Sequence, residues 1–261
     1  MKTTMKVAIA TLSSILLFGS MNLAAEAASS PAVSNLTLKT AAAKSQVASE
    51  GEKLEKKEQA RIAELLEKNP DDTYMVYVSN EVTKQKKAVV YSMGNSFPKF
   101  DTYDAYQKKA STLKDTVLQQ PNDLPEGYQF VTAGIDGPYS TDYTKEMEAE
   151  AKKLGKKIYS KKINWTRANG IVLEYANGEN NLNMSYIAFD PKGVTIDQKG
   201  YSYQSSAEII KKNPKFANSP ELIRNTLIWF EKGKQFTITT NPENPLTKDD
   251  LIKLAETMVK K

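Results

Sequence analysis

The strongest constraint on this fold is the stretch from Ile171 to Tyr186, where two alternating strands meet at an Asn-Gly turn. Leu182, Met184 and Tyr186 alternate with Asn181, Asn183 and Ser185, so one strand face is apolar and the other polar. Between strands predicted at 171–176 and 182–189, Asn177-Gly178 supplies residues that tolerate the positive φ of a two-residue hairpin loop. A strand tied this closely to its predecessor must run antiparallel to it. The pattern recurs at 227–231 and 235–240 around Lys232-Gly233-Lys234. There Phe236, Ile238 and Thr240 alternate with Thr237 and Thr239.

Other segments fit around these hairpins. Residues 50–68 are rich in strong helix formers and stop before Asn69-Pro70. Leu54, Ile62, Leu65 and Leu66 cluster toward the end of that helix, so only its second half should pack. Strands are predicted at 73–78 and 88–93, then a short helix over 101–113 and a linker at 119–123. A turn at 124–128 leads into a strand over 129–135. Tyr143, Met147, Ala151 and Leu154 share one face of a helix over 141–154, which Gly155 ends. Further strands are expected at 157–166, 194–196 and 201–203. Asp190-Pro191-Lys192-Gly193 reads as a turn. Ser205 through Glu208 forms a capping box, and Ser219-Pro220 is another helix start. In the last helix Thr247 caps, Asp250 answers it, and Leu246 and Leu251 form a hydrophobic staple. Leu251, Leu254, Ala255 and Met258 make its apolar stripe.

Strands arriving as hairpins predict α+β, with a curved antiparallel sheet carrying helices on one face. The domain reading is a signal peptide over 1–27, a flexible tether over 28–49, a helix-hairpin-helix segment over 50–116 and an α+β domain over 117–261. Lys2 and Lys6, an apolar run from Val7 to Phe18, and Ala25-Glu26-Ala27 have the layout of a secretory leader, cut between Ala27 and Ala28. That apolar run is short for a membrane span, which takes about 20 residues. The expected location is therefore extracellular or wall-associated, without stable membrane insertion.

The chain has neither Cys nor His. Disulfides are excluded, as are the usual serine and cysteine triads, and no zinc or other metal site is expected. No cofactor is expected either, because no phosphate-cradling glycine loop occurs. A cysteine-free exported chain suits a Gram-positive bacterium. The net charge is +5 and nearly all of its cations are lysines, the arginines being Arg61, Arg167 and Arg224. Lysine lacks the bidentate fork that reads phosphate and base edges, so nucleic acid is not an expected partner.

Trp165 and Trp229 fall in predicted strands beside other aromatic residues. With Tyr186 and Phe236 they are the candidate lining of a ligand cleft between sheet and helix, although aromatic residues also fill cores. Glu146, Glu148 and Glu150 are spaced i, i+2 and diverge around a helix, so they read as a solvated face. No catalytic residue is assigned.

From Leu124 onward the order of signals resembles a known extracytoplasmic domain. Its marks are Leu124-Pro125-Glu126-Gly127-Tyr128, the stretch Leu173-Glu174-Tyr175-Ala176-Asn177-Gly178-Glu179-Asn180-Asn181-Leu182, and Trp229-Phe230-Glu231-Lys232-Gly233-Lys234-Gln235-Phe236-Thr237-Ile238. Leu246-Thr247-Lys248-Asp249-Asp250-Leu251 and the residues through Glu256 close it. That domain of unassigned role occurs in Bacillus-type secreted proteins and at the outer ends of some membrane-bound regulators. In outline it is similar to the LolA and RseB lipoprotein-carrier fold. The resemblance implies a non-enzymatic binding or sensing module for an apolar or amphiphilic ligand, or for a partner segment of the cell envelope. Two alternatives are a carboxylate-based cell-wall hydrolase, which needs two facing acids, and a structural envelope or spore-associated protein.

Overall fold

A computed structural model describes residues 49–188, 200–219 and 223–259. The leader with its Ala27–Ala28 junction, nearly all of the tether, the 190–193 turn, the 194–196 strand and Pro220 lie outside the described residues. So do the last residues of the 182–189 and C-terminal stretches.

Helix α1 (Glu50–Lys68) opens on a capping box: the Ser49 hydroxyl accepts from Glu52 N, and the Glu52 carboxylate accepts from Ser49 N at 2.7 Å. Its second half packs, as its sequence predicts, with Ile62 fully buried and Leu54 47% exposed. Strand β1 (Thr73–Val78), a short α2 (Asn80–Thr83) and β2 (Val89–Gly94) follow. Then come β3 (Lys99–Phe100), α3 (Tyr103–Ala110) and β4 (Gln129–Asp136). A 3₁₀ turn at Ser140–Tyr143 leads into α4 (Thr144–Lys153), with β5 (Ile158–Lys162) beyond it. Next are β6 (Gly170–Asn177), β7 (Asn180–Ala188), β8 (Ser202–Gln204) and α5 (Ser206–Lys212). Finally β9 (Asn225–Glu231) and β10 (Lys234–Thr240) precede α6 (Lys248–Thr257).

The class is α+β with antiparallel pairing throughout, as the hairpins predict. The strands divide between two sheets: one of three in the order β2-β1-β5, and one of seven in the order β3-β4-β6-β7-β10-β9-β8. Chain order does not separate them. Strand β5, after Thr116, pairs with β1, and β3, before it, pairs with β4. The stretches 50–116 and 117–261 therefore contribute strands to both sheets.

In the three-stranded sheet every residue of β1 is buried. Tyr74, Val76 and Val78 face Ile62, Leu65 and Leu66 of α1. Met75 and Tyr77 point the other way, into the main core with Met147 and Ala151 of α4. Leu154, read as part of that apolar face, is instead 53% exposed. It is the C-cap residue, and Gly155 turns the chain at φ 62° right after it.

The seven-stranded sheet buries a single face. Ile171, Leu173, Tyr175, Leu182, Met184, Leu227 and Ile238 join Tyr106 and Ala110 of α3 and Leu251, Leu254 and Ala255 of α6 in one cluster. Alternating residues such as Asn183, Ser185, Thr237 and Thr239 occupy the other face and are half-buried. In the β9–β10 loop both Lys232 and Gly233 take positive φ, the signature of a type I′ turn; in the β6–β7 loop only Gly178 does.

Candidate functional site

Three of the four aromatic candidates meet. Phe236 on β10 stands opposite Tyr186 on β7 and Trp229 on β9. Its ring stacks on Trp229 at 5.2 Å between centroids, 13° from parallel, and lies 5.6 Å from Tyr186. Tyr201, 37% exposed, continues the row 5.5 Å beyond Trp229. The row is packed core. Tyr186 and Phe236 are each 1% exposed, and the Tyr186 hydroxyl donates to Thr116 O at 2.9 Å. Burial raises the Tyr186 phenol well above the usual tyrosine range, with the Asp115 charge adding to it.

Beside that row Lys234 also points inward. Its ammonium reaches both Asp115 carboxylate oxygens, at 2.9 and 3.0 Å, and stands 5.3 Å from the Tyr186 ring. Burial alone would raise the Asp115 carboxyl. The bonds from Lys234 and from Thr116 N, with Arg167 nearby, outweigh it and hold the carboxyl below its ordinary value. This pair ties the 113–118 segment onto the sheet.

Trp165 stands apart. The strand predicted over 157–166 ends at Lys162, because Ile163 through Asn169 run irregularly between β5 and β6. Trp165 is 8% exposed; its indole N–H donates to Thr73 Oγ1 at 3.4 Å, and Lys109 Nζ lies 4.0 Å over its ring. It belongs to the junction between the two sheets and not to the row of Trp229 and Phe236.

The open space next to α6 is lined by other residues. A groove of about 470 Å³ runs between the 123–125 turn and the N-terminal half of the helix. Pro125 and Leu246 supply its apolar surface over the buried Leu254, and Asp123, Asp250 and Lys253 its charges. Hydrogen bonds from buried asparagines place it. Asn244 accepts from the Tyr128 hydroxyl at 2.9 Å and donates to Asn181 O at 2.8 Å. Its Oδ1 also receives Leu246 N at 3.1 Å, fixing how the chain enters α6. Thr247 and Asp250 complete the capping box that the sequence predicts. The Thr247 hydroxyl and N–H, with Lys253 near, hold the Asp250 carboxyl below its ordinary value, so it is ionised at neutral pH. At the far end Gln119 N and Nε2 donate to Met258 O and Thr257 O, each at 2.8 Å, occupying carbonyls that a helix C-terminus leaves open.

In sequence, Leu246, Asp250 and Leu254 carry only structural signals, namely a staple, a cap and a stripe. Asp123 reads as linker and Pro125 as a turn residue, so nothing in the pattern marks them as groove lining. Among the described residues no cluster of three or more Asp or Glu could hold a metal ion, and no helix is long and apolar enough to cross a membrane. Comparison with models of known protein families, with curated proteins and with solved structures finds no match.

Proposed function

We propose that this chain is an exported, non-enzymatic binding or sensing module of a Gram-positive cell envelope, taking an amphiphilic ligand or partner segment along the flank of α6. The observation that supports this reading is the α6 groove. Pro125 and Leu246 offer an apolar strip above the buried Leu254, while Asp123, Asp250 and Lys253 keep charge at its edge. An acyl chain or an apolar side chain gains by leaving water for such a strip. The charged edge keeps the polar end of the same molecule in solvent. The volume lies within the roughly 300–1,000 Å³ typical of small-ligand sites. Similarity in outline to lipoprotein-carrier-like domains belongs to this proposal, since it joins an antiparallel sheet with helices to a ligand of this class.

Lysophosphatidylcholine, whose head carries both charges, is the probe below its micelle concentration, with methyl resonances of Leu246 and Leu254 as the readout. Saturable shifts are expected, and affinity should fall at least tenfold, about 1.4 kcal/mol, in Pro125→Glu. Pro125 is half-buried in a turn, so thermal unfolding of the variant checks that it still folds. Absence of saturable shifts in the unaltered chain, or equal binding by a folded variant, overturns the reading.

A further inference from the structure

The second open space lies where the two sheets adjoin, at the entrance to β1, the exit of β5 and the end of α3. It is a cleft of about 310 Å³, small enough to admit a ligand of few heavy atoms. Four charges line it: Asp71, Asp72, Lys109 and Lys162. Two of them satisfy each other, since Lys162 Nζ meets Asp72 Oδ1 at 2.7 Å. The remaining two, Lys109 and Asp71, are joined to no ion pair or side-chain hydrogen bond among the described residues. Their fields reach each other without contact, because the Asp71 charge raises the Lys109 pKa while burial, the larger effect, lowers it. The Lys109 ammonium sits instead over the Trp165 ring, 4.0 Å from its centroid. An opposite-charge pair kept apart across a small polar cleft is an incomplete electrostatic arrangement.

We propose that this cleft binds a small zwitterion, a free α-amino acid, with its carboxylate at Lys109 and its ammonium at Asp71. A simple anion would gain Lys109 but face two aspartates, and a simple cation would gain Asp71 but face two lysines. A small molecule carrying both charges meets both groups favourably. Thr166 at the cleft adds a hydroxyl able to donate to the carboxylate, and Thr112, whose hydroxyl donates to Lys109 O at 2.8 Å, can accept from the ammonium. Half-burial of Lys109 favours the same outcome, since an incoming carboxylate replaces water that the ammonium has lost. The proposal is independent of the α6 groove, which shares none of these residues.

The test uses the full chain, glycine as probe, and the two tryptophan indole N–H cross-peaks in a proton–nitrogen correlation spectrum. Glycine should move the Trp165 peak saturably and leave that of Trp229 in place. N-acetylglycine, which lacks the ammonium, and glycinamide, which lacks the carboxylate, should each bind at least tenfold more weakly. Lys109→Gln should abolish the preference for glycine over glycinamide, and Asp71→Asn the preference over N-acetylglycine. Because Asp71 is exposed, the second variant keeps the proposal testable if the first is destabilised. Absence of a saturable Trp165 shift at millimolar glycine overturns the proposal. So does an equal response to the single-charge analogues, or a response indifferent to both substitutions. None of these results bears on lysophosphatidylcholine at α6, so the two readings fail separately.

Discussion

The two sheets bury their strands differently, and the difference explains which parts of the chain could be read without coordinates. Strand β1 is covered on both sides, by α1 on one and by α4 with the main core on the other, so Tyr-Met-Val-Tyr-Val shows no polar alternation. Strands β7 and β10 bury one side, and their centres alternate buried Leu182, Met184, Phe236 and Ile238 with half-buried Asn183, Ser185, Thr237 and Thr239. An alternating strand states which residues face the core; a uniformly apolar one states only that it is buried. Strand β1 depends on β5, distant in sequence, whereas the large sheet holds two pairs of sequence neighbours, β6–β7 and β9–β10, each closed by a two-residue turn.

Five substitutions probe this contrast, beginning with the largest expected effect. Val76→Asp places a carboxylate between β1 and α1 and should cost more than about 4 kcal/mol, enough to unfold the chain. Thr237→Val, on the polar side of β10, should stay within about 0.5 kcal/mol in the same denaturant titration followed by circular dichroism. Similar costs for both would mean that β1 is not enclosed on two sides. Phe236→Ala removes the ring between Tyr186 and Trp229 and should cost about 3–5 kcal/mol. A loss below 1 kcal/mol in calorimetry would argue against a filled core there.

Lys234→Met leaves Asp115 without its cation. Because Asp115 keeps some exposure, the expected cost at neutral pH is about 2 kcal/mol, below that of a fully buried pair. The native carboxyl is held below its unfolded value of about 3.9. Its stabilisation is therefore complete above about pH 4 and disappears as pH falls through the native value. Stability curves of parent and variant should converge below about pH 4; parallel curves would sink the assignment. Last, Lys232→Asn puts a residue tolerant of positive φ where Lys232 sits at 50°, and should raise stability by about 0.5–1 kcal/mol. A lowered melting temperature would show that Lys232 contributes something beyond the turn.

Much of the candidate chemistry was illegible for the same reason. Trp165 and Trp229 look alike in sequence, each an aromatic residue in a β-rich stretch. They separate in space because β5 stops at Lys162, leaving Trp165 on the irregular run that returns the chain to the large sheet. Tyr186, Phe236 and Trp229 do come together, since strand register aligns them, but α6 and the 113–118 segment leave them little exposure. Lys109 and Asp71 lie in unrelated segments, with no periodicity linking them.

The sequence alone determined the local elements: the capping boxes at Ser205 and Thr247, the stripe of α6, and the hairpins closed at Gly178 and Gly233. Each of these follows from interactions within a few residues, where steric and hydrogen-bonding preferences act without help. Tertiary structure alone decided that β5 would leave its neighbours to flank β1, that two sheets would form, and that grooves would open beside α6 and at the sheet junction. Those outcomes depend on which apolar faces cover one another across many residues of chain, and long-range burial is a property of the whole packing that no short window encodes.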